Sequence, residues 1–199
     1  MHAGAARPLI GSVSWAAGAY LAAVGLQVGA GAPPEISFRA LAAAVAGALY
    51  TNVFEHAWHR FGMHGRRPDP RHARHHRLFY GDRFRTADPE AMREIVTSWY
   101  IFPALLAVHD AAFVLIFGSG LAPAFFLGVT VHFIAYEVTH WFTHIEGNSF
   151  DRWVAKLPGL RRLRAIQVEH HRLHHMQPLV NFNFNPPYAG DWIFRVLRR

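Results

Sequence analysis

The chain has 199 residues, of which 52% are hydrophobic and only 17% charged, with a formal charge of +7, fifteen histidines, thirteen acidic residues and no cysteine. A chain of one domain's length with so apolar a composition points to a membrane before it points to a water-soluble globule. Without cysteine there are no disulfides, thiolate zinc sites or thiol catalysis, so any metal is held by nitrogen or oxygen, and an excess of histidine is useful mainly for metal binding and proton chemistry.

Between Arg7 and Glu35 the chain runs twenty-seven residues without a charge. At about 1.5 Å of rise per residue, the part from Leu9 to Ala32 can cross a hydrocarbon core of about 30 Å and is the first predicted span. A cleaved signal peptide is the competing reading, since Ala30-Gly31-Ala32 looks like a small-residue cleavage site. The apolar run is too long for that, and Pro33 follows directly. A second span is predicted over 36–58. In the polar stretch 60–95, Asp88 and Pro89 predict a helix start over 89–96, with the aspartate as N-cap. Spans three and four cover 97–117 and 121–142.

The connectors 33–35 and 118–120 are short enough to make two helical hairpins, which puts both termini, 60–95 and 145–199 on one side of the membrane. Of the twenty Lys and Arg residues, nineteen fall on that side and Arg39 alone lies near the other. The positive-inside rule makes the charged side cytoplasmic and accounts for the basic charge without a nucleic-acid partner. The expected fold class is all-α: an integral membrane four-helix arrangement of two hairpins with a cytosolic, helical, histidine-rich cap, a single domain over 1–199. The Ala- and Arg-rich composition fits a bacterial inner membrane. Arg39 and Asp110, both toward the far face, are expected to offset each other's charge. Trp58, Trp99, Trp141 and Trp153 lie near span ends, where they are expected to anchor at the interface. Over 151–166, apolar Trp153, Leu157, Leu160 and Leu163 alternate with Arg and Lys, as in an amphipathic helix lying in the headgroups and divided at Pro158-Gly159.

With that topology the histidines gather. HRFGMH places His59 and His64 at and just beyond the end of span two; HARHH supplies His72, His75 and His76; THWFTH puts His140 and His144 one turn apart at the end of span four; HHRLHH supplies His171, His174 and His175. Both triplets have the spacing i, i+3, i+4, which projects their members from one side of a helix. Neutral imidazole binds Zn, Cu, Fe and Ni, and ten imidazoles give two six-coordinate ions five nitrogens each with one position left open. A closed structural zinc site needs four ligands, so ten is an excess for that purpose.

In their order, HRFGMH, HARHH, THWFTH and HHRLHH resemble the histidine signature of the fatty acid hydroxylase superfamily, which takes in fatty acid 2-hydroxylases, sterol methyl oxidases, sterol desaturases and carotenoid ring hydroxylases. YEVTH, containing Tyr136 and Glu137, is similar to the Tyr-acid-x-x-His element of the fatty acid 2-hydroxylases. The likeness runs over roughly residues 50–195 by motif order rather than by continuous identity. It departs in the short gap from His64 to His72. It departs again in NFNFNPPYAGDWIF, which follows the family's Asn-aromatic-Gly, Pro and Trp-Asp element loosely, with Asn183 or Asn185 where glycine is expected.

The resemblance implies a non-haem di-iron oxygenase that hydroxylates a C–H bond of a fatty-acyl or related lipid with O2 and two electrons. All ten histidines would be metal ligands, with two Fe ions as cofactor and zinc able to substitute in purified protein. No cytochrome, dinucleotide fingerprint or Fe–S cysteine cluster is visible, so a separate electron donor is expected, a ferredoxin or a b-type cytochrome with its reductase. Glu55 and Glu137, one helical turn before His59 and His140, are candidate hydrogen-bond partners behind the ligands; His56, His132 and His170 lie close by. Arg60, Arg74, Arg77 and Arg172 interleave with the ligands and can hold a lipid phosphate or carboxylate, dock an acidic donor, or simply form a cationic surface. Sterol or carotenoid ring hydroxylation and desaturation remain alternatives within the superfamily. A metal transporter or sensor is the non-enzymatic alternative, though a transport path would spread its ligands across the bilayer rather than gather them at one depth.

Overall fold

Each of the four apolar runs is helical in the computed structural model, which describes residues 6–31 and 34–198. The predicted end of span one at Ala32 and the connector's Pro33 lie outside the described residues. Every helix of the described chain is an α-helix except one π-helical and one 3-10 turn, and the described residues hold no strand beyond a single isolated bridge. It divides into two units, one made of Leu9–Thr51 and Thr97–Glu137, the other of Met1–Pro8, Asn52–Val96 and Val138–Arg199.

The first unit contains α1 (Arg7–Gly29, from Leu9), α2 (Phe38–Ala57, as far as Thr51), α5 (Ile101–Phe117) and α6 (Ala122–His144, as far as Glu137). Helix α2 starts two residues later than predicted because the Ser37 hydroxyl accepts the Ala40 amide at 3.1 Å and caps it. Two helices, α1 and α6, each of 23 residues, are long and apolar enough to cross a membrane; at about 1.5 Å per residue each is about 34 Å long. Helix α5 is shorter than its predicted span, because residues 97 and 98 are irregular and 99 and 100 form a turn ahead of Ile101, and its 17 helical residues stand at the short end of the roughly 17–25 that cross a bilayer. Much of the hydrocarbon in this unit is uncovered: α1 buries only Leu9, Ser12 and Ala16, while Leu26 and Leu115 are 77% and 86% exposed.

Inside the unit, Ala16, Phe102, Leu106, Ala122 and Phe126 form a small core, with Phe102 stacked on Phe133 at 4.2 Å. Helices α2 and α6 approach at backbone contact. A Cβ added at Gly128 would overlap the Ala44 carbonyl, and one at Gly47 would overlap the Phe125 carbonyl, the small-residue packing that lets apolar helices meet closely. The pairing expected between Arg39 and Asp110 is replaced: Asp110 accepts the Gln27 side-chain amide at 2.9 Å, which meets the carboxylate without a second charge.

The second unit continues α2 through a π-helical turn (Trp58–Met63) and adds α3 (Pro70–Leu78), α4 (Pro89–Met92), α7 (Ser149–Val154), α8 (Pro158–Met176) and α9 (Ala189–Ile193). Asp88 caps α4 by accepting the Glu90 amide at 3.0 Å, as expected, but the helix ends at Met92 and the chain turns from there to Val96. Asp69 does the same for α3, accepting the His72 amide at 2.7 Å with Pro70 at the first helical position, so the first histidine of the triplet is pinned in the first turn. The division at Pro158 falls as expected, and the proline opens α8 rather than kinking a longer helix. Trp153 is 55% exposed, but Trp141 is fully buried in this unit, so its expected role as an interfacial anchor is wrong: here the ring is core.

A candidate metal centre of two five-histidine groups

The ten histidines of the four motifs come together as two groups of five, each offering ligand nitrogens that lie within 4.8 Å of one another. His59, His64, His72, His76 and His174 form group A; His75, His140, His144, His171 and His175 form group B. The two are built alike. Group A takes the pair at the end of α2, the i, i+4 pair of α3 and one histidine of α8. Group B takes the pair on α6, the i, i+4 pair of α8 and one histidine of α3. Each triplet therefore serves both groups, two members to one and one to the other.

The π-helical turn explains the wider spacing of the first pair. In an α-helix, residues five apart point about 140° away from each other. Here the His64 amide bonds to the His59 carbonyl at 3.0 Å, an i→i+5 bond that widens the turn until five residues make roughly one revolution. Both imidazoles then reach group A.

The ring nitrogens are sorted by what lies behind them. His59 donates its Nδ1 hydrogen to the Phe182 carbonyl (2.5 Å) and His174 to that of Val180 (2.8 Å), both in group A. In group B, His75 donates to the Glu94 carbonyl (3.0 Å) and His144 to that of Phe84 (2.8 Å). A neutral imidazole carries one hydrogen, so each of these four presents a bare Nε2 lone pair to its group.

At the hub of group A, His72 Nε2 lies 3.0, 2.9 and 3.1 Å from the Nε2 atoms of His59, His64 and His76. At the hub of group B, His171 Nε2 lies 3.1, 3.0 and 3.0 Å from those of His140, His144 and His175. A ring nitrogen offers either one hydrogen or one lone pair, so at most one of each three contacts is a two-centre hydrogen bond. The remaining lone pairs face one another in a space that is buried in group B and partly buried in group A, a costly arrangement unless a cation sits among them. The donor set therefore fits metal ions, and nitrogen ligands of this kind suit iron, zinc, copper or nickel.

Burial, reinforced by neighbouring imidazoles, holds His59, His72, His75, His171, His174 and His175 well below the ordinary histidine pKa. Burial takes His64 down to about 4. All are therefore neutral near pH 7, the form that ligates metal.

Behind group A and group B runs a segment that sequence reasoning treated only as a loose motif. Phe182 and Phe184 are both fully buried. Phe182 packs on His59, His64 and His174, and Phe184 on His140 and His171. The strap is irregular backbone, so its amides need partners. Asp191 takes those of Phe182 (2.8 Å) and Asn183 (3.0 Å), and Glu55 takes that of Phe184. The Asn52 side chain donates to the Asn185 carbonyl (2.8 Å) and accepts the Ala189 amide (2.8 Å). The period-2 alternation in NFNFN, whose rings pack on the histidines while its amide side chains hydrogen-bond elsewhere in the chain, was the available signal.

Asp191 is the residue the sequence did not single out. Its carboxylate also accepts His56 Nδ1 at 2.8 Å and His170 Nε2 at 3.0 Å, so two histidines outside the ligand set are joined through it. Burial pushes its pKa up, but hydrogen bonds from His170, His56 and the Asn183 amide outweigh that and hold the carboxyl below its usual value. Glu55 serves the strap, and Glu137, in the first unit, accepts the Thr97 amide at 3.1 Å. Among the interleaved arginines, Arg74 pairs with Glu94 (3.5 Å) and Arg172 with Glu169 (2.7 Å), while Arg60 lies over the Phe61, Phe182 and Phe194 rings at 5.2–5.7 Å.

Compared with protein-family models, with curated proteins and with solved structures, the chain matches none of them.

Proposed function

We propose that the chain is a membrane di-iron oxygenase that hydroxylates a C–H bond of a lipid, a fatty-acyl or related chain fitting best, with O2 and two electrons from a separate ferredoxin or b-type cytochrome system. The observation that carries this reading is the pair of hubs, each with one Nε2 within about three ångströms of three others. Five nitrogens per ion exceed what a structural zinc site uses and leave a six-coordinate ion one free position. The motif order resembles that of the fatty acid hydroxylases, and helices α1 and α6, long and apolar enough to cross a bilayer, suit an enzyme whose substrate is a lipid. The four-span, cytoplasm-facing topology expected from the charge distribution belongs to the same proposal.

Held by the five histidines of each group, iron would supply O2 activation and C–H oxidation, one oxygen atom entering the product and the other leaving as water with the two electrons and two protons. The chain's own part is positional. Carbonyls of Glu94, Phe84, Val180 and Phe182 fix four imidazoles as Nδ1–H tautomers. Burial keeps the ligand set neutral, and the rings of Phe182 and Phe184 exclude water behind the ligands, so that the oxidising equivalents meet the substrate rather than solvent. The test is expression with iron in a host of known lipid content under 18O2, followed by mass spectrometry. A lipid carrying one 18O atom in the wild type and absent in His174→Ala is the expected result; identical lipid profiles across fatty-acyl, sterol and carotenoid hosts would refute it.

A further inference from the structure

The two groups differ in how they meet solvent. All five histidines of group B are buried, whereas His64, His72 and His76 of group A are only partly so. A cleft of about 570 Å³ within the second unit opens on those three, with His175 of group B also in its wall and Arg77, Tyr80 and Arg83 around it. On α3, Arg71 and Arg74 are both engaged by the Glu94 carboxylate. Arg77 and Arg83 are exposed and, among the described residues, have no carboxylate in ion-pair contact; Arg83 reaches only the Arg77 carbonyl, at 3.4 Å. Two uncompensated guanidinium groups beside a cavity whose floor is a cation site form a concave, positively charged recess, which selects an oxyanion.

We propose that this cleft binds a small molecule through a carboxylate or phosphate held by Arg77 and Arg83, that the ligand lies against the ion of group A, and that group B is closed to exogenous ligands. The proposal rests on the reading of both groups as metal sites. It makes the two ions inequivalent: the group A ion exchanges and is covered by the bound anion, while the group B ion is locked in. The anion can be the head of a lipid substrate or a free ion in solution, and the test separates the two.

The iron-loaded full chain, in a non-ionic detergent, is challenged with the uncharged chelator 1,10-phenanthroline, and iron release is followed with time. Two phases of equal size are expected, the fast one slowed by added octanoate or by inorganic phosphate. Slowing by octanoate at concentrations well below those needed for phosphate assigns a lipid carboxylate, and the reverse order assigns a free phosphate. In Arg77→Gln/Arg83→Gln both phases persist, which reports intact metal sites, but the anion concentration needed for protection rises on the order of ten-fold or more. Release in one phase, no protection by either anion, or equal protection in the double variant would overturn the inference while leaving the di-iron reading standing. A chain that binds no iron overturns both.

Discussion

Replacing Asp191 by alanine is expected to unseat group A before group B. The carboxylate is fully buried and accepts four hydrogen bonds, from His56, His170 and the Phe182 and Asn183 amides. Each donor left without a partner in a buried space costs about 1–3 kcal/mol. These losses do not add, because His56 and His170 can relax and water can enter the vacated volume. A net destabilisation of about 3–5 kcal/mol is the reasonable expectation, the usual cost of removing one member of a buried charged network.

The consequence for metal follows from which carbonyls the strap carries. His59 and His174 are aimed by Phe182 and Val180, within and next to the segment Asp191 holds, whereas His75 and His144 are aimed by Glu94 and Phe84 in a different part of the chain. Loss of such an outer partner weakens metal binding by about 10–100-fold. In Asp191→Ala the iron content after dialysis should therefore fall from about two toward one per chain. Asp191→Asn, which keeps the volume and one acceptor oxygen, should fall between wild type and alanine in both metal content and thermal midpoint. Unchanged iron content in the alanine variant, or equal loss from both positions, would refute the reasoning.

His72→Ala and His171→Ala each remove a hub, so each should lose one ion per chain and retain the other, with complementary changes in the iron spectrum; retention of both ions by either variant contradicts the division into groups. Gly128→Val places side-chain atoms against a backbone carbonyl that cannot give way, and a loss toward the upper end of the ~1–3 kcal/mol typical of overpacking is expected, read as the midpoint of denaturation in detergent, whereas Gly120→Val, whose added Cβ meets nothing within 4 Å, should leave it nearly unchanged. The metal-free chain should lose stability as pH falls. An unfolded imidazole titrates near 6.5 while the folded ones lie below that, His64 at about 4, so below pH ~6.5 the unfolded state binds more protons and each such histidine adds a slope of about 1.4 kcal/mol per pH unit until its folded pKa is reached. Urea midpoints at pH 7.5, 6 and 5 should drop in that order, and a flat or rising series would contradict it.

The histidine triplets were visible in the sequence because helical periodicity is local: His72, His75 and His76 had to share one side of any helix they formed. The sharing of each triplet between two groups was not, since it depends on what stands opposite α3 and α8. HRFGMH was legible as a pair but not as a geometry, because its five-residue spacing falls out of phase on an α-helix and comes into phase only through the π-helical turn. Trp141 looked like an interfacial ring from its place near a span end, and only the packing around α6 makes it core. The strap from Asn181 to Asn185 was hardest to read. Asp191 meets two of its amides from nearby, but the Phe184 amide and the Asn185 carbonyl are satisfied by Glu55 and Asn52, with |i−j| of 129 and 133, and such long-range pairing leaves no local period beyond the alternation itself.

The central claim is that ten histidines make two nitrogen-only metal sites on one chain. Quantifying iron against protein by elemental analysis, on chain expressed with iron and purified without chelators, tests it most directly. The structure predicts two ions per chain in the wild type and about one when either hub histidine is removed. A wild-type value that stays at one or below after loading with excess iron would contradict it.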